Sequence, residues 1–172
     1  PLDSDTDGDG LLDGEEDVNA NGSNDSDQPG VELDETSPLL NDTDGDGYTD
    51  DVESPDTNRD TDSDGIIDAL DLDSDGDGLA DAHELALGTN PLVKESDRDG
   101  LEDGVEVDIG TDTTEGDTDN DAAGDGREVL ELGTDPLDAD TDNDGLSDGE
   151  ELGSNALLDD GETDPLDADS DD

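Results

Sequence analysis

Hydrophobic residues occur in ones and twos along this chain, and they recur at a fixed place beside alternating acidic residues. Several of them directly follow a glycine or alanine that ends a run of alternating aspartates: Leu11, Tyr48, Ile66, Leu79, Leu101, Ala123 and Leu146. After each acidic run, a stretch such as residues 81–87 has room for one or two helical turns, which Gly88 ends and Pro91 keeps from continuing. No stretch alternates as a strand would. The pattern predicts a mostly irregular chain with isolated short helical turns.

The acidic runs are copies of one phrase of twelve residues, Asp-x-Asp-x-Asp-Gly-x-x-Asp-x-x-Glu. Complete copies occupy residues 5–16, 42–53, 73–84 and 140–151. Four copies deviate: the copy at 60–71 ends on Asp71, that at 95–106 begins with Glu95, that at 117–128 has Ala122 at position 6, and that at 17–28 ends on Gln28. A partial copy begins at residue 169. We therefore interpret residues 1–172 as one tandem array of acidic loops.

Composition adds a question about folding. The chain has 61 Asp and Glu residues against 4 Lys and Arg, a formal net charge of -57, and only 24% hydrophobic residues. Such a composition is typical of disorder, but disordered acidic tails lack fixed spacing. Since the chain has no cysteine, bound metal is the remaining means of holding so small an apolar content in one shape. The predicted fold is an elongated, calcium-stapled tandem-repeat rod.

The spacing suits calcium. Ca²⁺ takes six to eight oxygen ligands, and a twelve-residue loop supplies them from positions 1, 3, 5, 7 (a backbone carbonyl), 9 (often through water) and 12, with glycine at position 6 for the turn. Mg²⁺ tolerates a bidentate acid poorly, and zinc or copper is disfavoured with no cysteine and one histidine. The side chain of Tyr48 is expected in a small core, and that of His83 in solvent.

The candidate calcium ligands are the residues at these positions in each loop. In the complete loops they are Asp5, Asp7, Asp9, Leu11, Asp13 and Glu16; Asp42, Asp44, Asp46, Tyr48, Asp50 and Glu53; Asp73, Asp75, Asp77, Leu79, Asp81 and Glu84; and Asp140, Asp142, Asp144, Leu146, Asp148 and Glu151. In the deviating loops they are Asp17, Asn19, Asn21, Ser23 and Asp25; Asp60, Asp62, Asp64, Ile66, Asp68 and Asp71; Glu95, Asp97, Asp99, Leu101, Asp103 and Glu106; and Asp117, Asp119, Asp121, Ala123, Asp125 and Glu128. Whether the loops at 17 and 117 hold an ion stays open, because Gln28 and Ala122 depart from the phrase.

These residues, with the spacer Gly-Thr-Asp-Pro-Leu at 133–137, resemble thrombospondin type 3 repeats in the cysteine-free form of bacterial and archaeal surface proteins. The resemblance implies a chain that wraps around a line of Ca²⁺ ions, with closely spaced loops sharing ligands. EF-hands and dockerins fit less well, because their flanking helices find no room between Glu16 and Asp17 or between Asp71 and Asp73. The glycine-rich nonapeptide of calcium-binding β-helices is absent from the sequence.

Three kinds of function are relevant to a chain of this kind. The first is a calcium-stiffened spacer, stalk or fibre segment of a secreted or cell-surface protein. The alternative is a Ca²⁺-dependent adhesion module that binds protein or polysaccharide, although Trp and Phe, the usual anchors of such surfaces, are missing. An enzyme is not expected, because no core exists in which to bury and tune an acid pair.

The partners follow from charge and from the repeat. Nucleic acid is excluded by its like charge, and no apolar run reaches the length of a membrane span. Expected partners are at least seven calcium ions, other copies of the chain in end-to-end or lateral fibres, and neighbouring domains of a longer parent protein. Asp71 or Asp73 is expected to bridge two ions across Leu72, and acids outside the phrase, such as Asp112 and Asp138, are candidates for a second row of ions.

Overall fold

Short helical turns joined by irregular loops make up the structure. It is a computed structural model that describes residues 4–17, 35–53, 59–152 and 163–168. Within these ranges no residue lies in a β-strand. The helices are α1 (Asp13–Glu16), α2 (Asp50–Glu53), α3 (Asp81–Leu87), α4 (Asp103–Ile109), α5 (Asp125–Arg127) and α6 (Asp148–Glu151), with a 3₁₀ turn at Asp68–Leu70 and a π-helical turn at Glu128–Leu132 after α5. The mostly irregular fold predicted from the sequence is confirmed for these residues.

Every one of these helical segments except the π-helical turn begins at position 9 of a loop. The residue before it is extended where its torsion angles are given, as at Leu12, Ala80 and Ser147. An aspartate in the first helical turn is favoured because its charge faces the positive end of the helix dipole. Position 12 therefore falls in the same first turn, and because helical side chains tilt toward the N-terminus, the position-12 acid points back over its loop.

The longer helices end where glycine allows it. Gly88 after α3, Gly110 after α4 and Gly133 after the π-helical turn have φ of 89°, 95° and 82°, the left-handed conformation that ends helices. Their N–H groups donate to the carbonyls of Glu84, Glu106 and Glu128 at 2.7 Å. The predicted helix over 81–87, ending at Gly88, is confirmed.

The buried interior is largely acidic. Among the described residues, the buried hydrophobic side chains are few: Leu11, Ile67, Ala69, Leu79, Leu101, Ala123 and Leu152. Position 7 thus supplies part of the interior, but Tyr48 is only half-buried and Leu146 is 41% exposed. His83 is exposed, as predicted. The residues that are fully buried include more glutamates and aspartates than leucines, so hydrophobic burial alone does not account for this fold.

The chain divides into two compact units, Pro1–Lys94 and Glu95–Asp172. The first unit contains the loops at 5–16, 42–53, 60–71 and 73–84, and the second those at 95–106, 117–128 and 140–151. The loop at 17–28, apart from Asp17, and the partial loop from 169 lie outside the described residues. None of the helices in the described part of the chain has the length and apolar character needed to cross a membrane.

Candidate metal centres

The alternate acids of three loops converge as the spacing predicts. Asp5, Asp7 and Asp9 bring one carboxylate oxygen each to within 4.8 Å of the others. Two further loops form the same group, from Asp42, Asp44 and Asp46 and from Asp60, Asp62 and Asp64. Oxygens at 2.3 to 2.6 Å from one Ca²⁺ lie at most about 5 Å apart, so each group fits a single calcium ion.

Backbone amides hold the acids of each loop in this arrangement. In all seven described loops, the position-5 amide donates to one carboxylate oxygen of the position-3 aspartate, at 2.9 to 3.4 Å. The position-7 amide donates in the same way to the position-5 aspartate, at 2.6 to 2.8 Å. These bonds use one oxygen of each carboxylate. They leave the second oxygen for other partners, and in the second unit Oδ2 of Asp99 and of Asp121 accepts an amide of the next loop.

Many of the remaining oxygens are buried and accept no hydrogen bond. The aspartate atoms of this kind are the second oxygens of Asp7, Asp9, Asp44, Asp46, Asp75, Asp97, Asp119 and Asp142 and the first oxygens of Asp73 and Asp140. The glutamate atoms include Oε2 of Glu16, Glu106 and Glu128 and both oxygens of Glu53. A buried ionised oxygen without a partner is strongly unfavourable. A bound cation would satisfy these atoms, and oxygen donors of this kind are the ligands that calcium prefers.

The position-9 aspartates have a different environment. In every described loop, the residue at position 2 donates both its amide, at 2.7 to 2.9 Å, and its hydroxyl, at 2.6 to 2.8 Å, to the position-9 carboxylate. These donors are always threonine or serine: Thr6, Thr43, Thr61, Ser74, Ser96, Thr118 and Thr141. These two hydrogen bonds join positions 2 and 9, which are seven residues apart, and so close the loop. Sequence analysis missed these hydroxyl residues, although Thr or Ser at position 2 of every described loop was visible in the sequence.

The position-12 glutamates are fully or almost fully buried, with 0 to 2% exposed. In several loops a threonine of the spacer donates its hydroxyl to the glutamate: Thr36 to Glu16 at 3.5 Å, Thr89 to Glu84 at 3.4 Å, Thr111 to Glu106 at 3.4 Å and Thr134 to Glu128 at 3.0 Å. In the last three, this threonine follows the glycine that ends the helix. The threonine that follows the helix-ending glycine therefore orients the closing acid of the loop, a role that the sequence analysis did not assign to the spacer.

Burial and crowding raise the pKa of many of these acids. Burial first, then neighbouring aspartates, raises the pKa of Glu53 to about 10 and that of Glu106 to about 8. For Glu128, burial and then Asp119 and Asp121 raise the pKa to about 8, although the Thr134 hydroxyl opposes the shift. For Glu16, burial and the charges of Asp7 and Asp9 raise it to about 7. The charges that act on each of these glutamates include positions 3 and 5 of its own loop, so position 12 lies close to these positions, and metal binding by the set stays a prediction.

Two deviating loops keep the same backbone. Ala122, at position 6 of the 117–128 loop, has a φ of 83°, and its amide donates to Asp117 at 3.2 Å, as glycine does in other loops. The turn therefore lies at Ala122, as it lies at glycine in the other loops, and not at the nearby Gly124. In the 60–71 loop, burial first and then Asp64 and Asp62 raise the pKa of Asp71, and Asp71 accepts a hydrogen bond from the amide of Asp73 at 3.1 Å. Bridging of two ions there stays a prediction.

Basic side chains neutralise few of the acidic charges. Arg59 lies 3.1 Å from Asp68, and Arg127 lies 3.7 Å from the exposed Glu131. Lys94 donates to the carbonyl of Gly76 at 2.7 Å and lowers the pKa of Asp75 against a larger rise from burial. With 4 basic residues for 61 acids, basic side chains can balance only a small part of the acidic charge.

Comparison with known proteins agrees with the repeat analysis. The model of one family, the bacterial TSP3 repeat, matches residues 5–24, 42–54, 73–94, 96–112, 117–139 and 140–152, which together make up more than half of the chain. The searches of curated proteins and of solved structures gave no match. The resemblance drawn from the sequence is thereby confirmed, and the 60–71 loop, which ends on aspartate, falls outside the matched segments.

Proposed function

Since the chain belongs to the bacterial TSP3 repeat family, we propose that it is a calcium-binding structural spacer, stalk or fibre segment of a secreted or cell-surface protein. The observation that carries the proposal is the set of buried carboxylate oxygens without hydrogen-bond partners, found in loop after loop. These oxygens face groups of acids whose separations fit one calcium ion. A non-catalytic role forms part of the proposal.

A structural role for the ions follows from what else is available to hold the chain. The buried apolar side chains are few, no cysteine is present, and the formal charge of -57 opposes compaction. Ligands of this kind converge only when cations neutralise them, so binding and folding become one process. In tandem repeats, where each unit mainly contacts its neighbours, such ions stiffen the array as a whole.

The test compares the metal-free chain with the same chain in millimolar Ca²⁺, by small-angle scattering, circular dichroism and limited proteolysis. We expect the metal-free chain to be expanded and protease-sensitive, and calcium to convert it to a protease-resistant form. Magnesium at the same concentration is the control for simple charge screening. Profiles that do not change with calcium would falsify the proposal.

The spacer role has its own measurement. The maximum dimension from scattering in calcium should increase linearly when the segment 95–151 is duplicated in tandem, because a quasi-linear array lengthens by a constant amount per repeat. A compact particle whose dimension grows only as the cube root of mass would overturn the spacer role while leaving calcium binding intact.

A further inference from the structure

Two groups of acids in the first unit lie between loops, in addition to the groups inside single loops, and all their members except the half-buried Asp9 are buried. One consists of Asp9 and Glu16 from the 5–16 loop with Asp50 from the 42–53 loop. The other consists of Asp46 and Glu53 from the 42–53 loop with Asp81 from the 73–84 loop. In both, position 5 and position 12 of one loop meet position 9 of another, and the ligand atoms lie within 4.8 Å of one another.

The position-5 and position-12 acids of these groups have buried oxygens without hydrogen-bond partners. Oδ2 of Asp46 and both oxygens of Glu53 are buried and accept no hydrogen bond, and the same holds for Oδ2 of Asp9 and Oε2 of Glu16. Glu53, Glu16, Asp50 and Asp81 are each 0% exposed. Fully buried carboxylates directed at one another from different loops repel unless a cation lies among them.

The position-9 aspartates are fixed in place. Asp81 accepts the amide of Ser74 at 2.9 Å and its hydroxyl at 2.7 Å, and Asp50 accepts the same pair from Thr43 at 2.8 and 2.7 Å. These hydrogen bonds fix the orientation of both carboxylates, and each carboxylate oxygen has a second lone pair for a metal ion. The position-9 aspartate, which is the third ligand of each group, is therefore oriented by hydrogen bonds within its own loop.

The second unit joins its loops differently. There the corresponding position-5 oxygens, Asp99 Oδ2 and Asp121 Oδ2, accept hydrogen bonds from the amides of Gly126 and Gly149, the glycines at position 10 of the next loop. In the first unit position 10 is Asp51 in the 42–53 loop and Ala82 in the 73–84 loop, and Oδ2 of Asp9 and Oδ2 of Asp46 accept no hydrogen bond. The first unit thus has a place for a cation where the second unit has a direct hydrogen bond.

We propose that the first unit binds two calcium ions between loops, one at Asp9, Glu16 and Asp50 and one at Asp46, Glu53 and Asp81. This rests on the proposed calcium-binding function and adds to it a second class of site. The ions cross-link loops that are not consecutive in the sequence, since the second site joins 42–53 to 73–84 past the 60–71 loop. Asp46 and Glu53 then serve two ions each, one inside their loop and one between loops.

Asp81→Asn and Asp50→Asn test the two sites separately, and Asp13→Asn is the matched control. Asp13 holds position 9 of the 5–16 loop, as Asp50 and Asp81 do in their loops, and accepts the same two hydrogen bonds from Thr6. It therefore controls for any role of position 9 in binding the ion inside its own loop, and it lies outside both proposed sites. In Asp81→Asn, the Ser74 hydroxyl can accept from the introduced amide while donating to the carbonyl of Asp68, with which it already bonds at 3.2 Å. The loop can therefore stay closed while the site loses a charged ligand.

Bound calcium is counted by native mass spectrometry at millimolar Ca²⁺. We expect Asp81→Asn and Asp50→Asn each to lose one ion per chain relative to Asp13→Asn. A second readout uses Tyr48, the only aromatic residue of the chain, which sits close enough to Asp46 and Asp81 for their charges to raise its pKa, after the larger effect of burial. Tyr48-sensitised terbium emission should fall in Asp81→Asn and stay unchanged in Asp13→Asn.

Equal ion counts and equal terbium emission in all three variants would overturn the inter-loop sites while leaving the proposed function standing. A wild-type chain that binds no calcium would overturn both. If Asp81→Asn does not fold in calcium, the test is to locate the ions in the wild-type chain by anomalous scattering from crystals grown in Ca²⁺. A peak among Asp46, Glu53 and Asp81 supports the site, and a peak only within the loops rejects it.

Discussion

The residue at position 6 of each described loop needs a positive φ, and in most loops this residue is glycine. Gly10, Gly47, Gly65, Gly78, Gly100 and Gly145 all have φ between 94° and 113°, a region that costs a residue with a Cβ roughly 1 to 2 kcal/mol. Ala122 occupies it with φ of 83°. Position 4 also has a positive φ, as at Ser63, Arg98, Asn120 and Asn143. This explains why Gly and Asn are frequent at position 4.

Ala122→Gly should therefore stabilise the calcium-loaded chain by about 1 kcal/mol, because it removes the strain of a left-handed alanine. The reciprocal variant is Gly145→Ala in the 140–151 loop, where a Cβ would meet no atom within 4 Å. It should destabilise by a similar amount, for conformational reasons alone. Thermal unfolding in saturating calcium measures both, and a change of the same sign in the two variants would contradict this account.

The spacer threonines make a second prediction for single residues. Thr134→Val removes the hydroxyl that orients Glu128 at 3.0 Å while keeping the shape of the side chain. Groups that orient a metal ligand typically contribute 10-fold or more to affinity, so the calcium midpoint of the 117–128 loop should rise about 10-fold. Thr134→Ser keeps the hydroxyl and should stay near the wild-type midpoint. The Ala122 and Ala123 amide resonances, followed by NMR during a calcium titration, report this loop, and equal midpoints for the two variants would exclude the role of the hydroxyl.

Among the helical elements, α1 and α6 have the same sequence, Asp-Gly-Glu-Glu, in different surroundings. A Cβ on Gly149 of α6 would collide with the carbonyl of Asp121 in the preceding loop, whereas a Cβ on Gly14 of α1 would meet nothing within 4 Å. The amide of Gly149 also donates to Asp121 at 2.8 Å. Glycine at this place in α6 therefore permits close stacking of two loops.

Gly149→Ala should destabilise the calcium-loaded chain by about 1 to 3 kcal/mol, the usual effect of forcing an extra carbon into a packed contact. The matched variant Gly14→Ala should be neutral or stabilising by up to about 1 kcal/mol, because alanine is the better helix former. Both effects are measured by thermal melting in calcium. Equal melting temperatures for the two variants would show that the stacking contact does not limit the size of residue 149.

At the scale of the whole molecule, the raised pKa values predict opposite pH dependence with and without calcium. Burial first raises the pKa of Glu53 from 4.5 to about 10 and that of Glu106 from 4.5 to about 8. In the metal-free chain the folded conformation then binds more protons than the unfolded chain between pH 4.5 and the raised values. Its stability therefore falls as the pH rises through this window.

We expect the metal-free chain to be most compact near pH 4 to 5 and to expand toward pH 8, as followed by scattering. Calcium needs the ionised acids, so binding at pH 7 should release protons and weaken on acidification. Calorimetry in buffers with different ionisation enthalpies counts the released protons. No proton release at pH 7, or a metal-free chain that compacts on raising the pH, would contradict the assignment.

The sequence by itself determined what lies within one loop. The alternate aspartates, the turn at position 6, the helical turn from position 9 and the glycines that end α3 and α4 follow from bonds between residues two to seven positions apart, which recur wherever the phrase recurs. The position-2 hydroxyls and the spacer threonines acted at the same short range and were also readable in principle. Their role was missed because threonine and serine are ordinary loop residues.

Only the tertiary structure decided which loops meet within each unit and how. The spacers have unequal lengths, so no period in the sequence indicates that the 42–53 loop meets 73–84, past the 60–71 loop. Nor could the sequence reveal which carboxylate oxygens are left without partners, because that depends on packing between segments about 30 residues apart. Short-range hydrogen bonds follow from the residues that make them, whereas long-range contacts depend on the positions of every element between them.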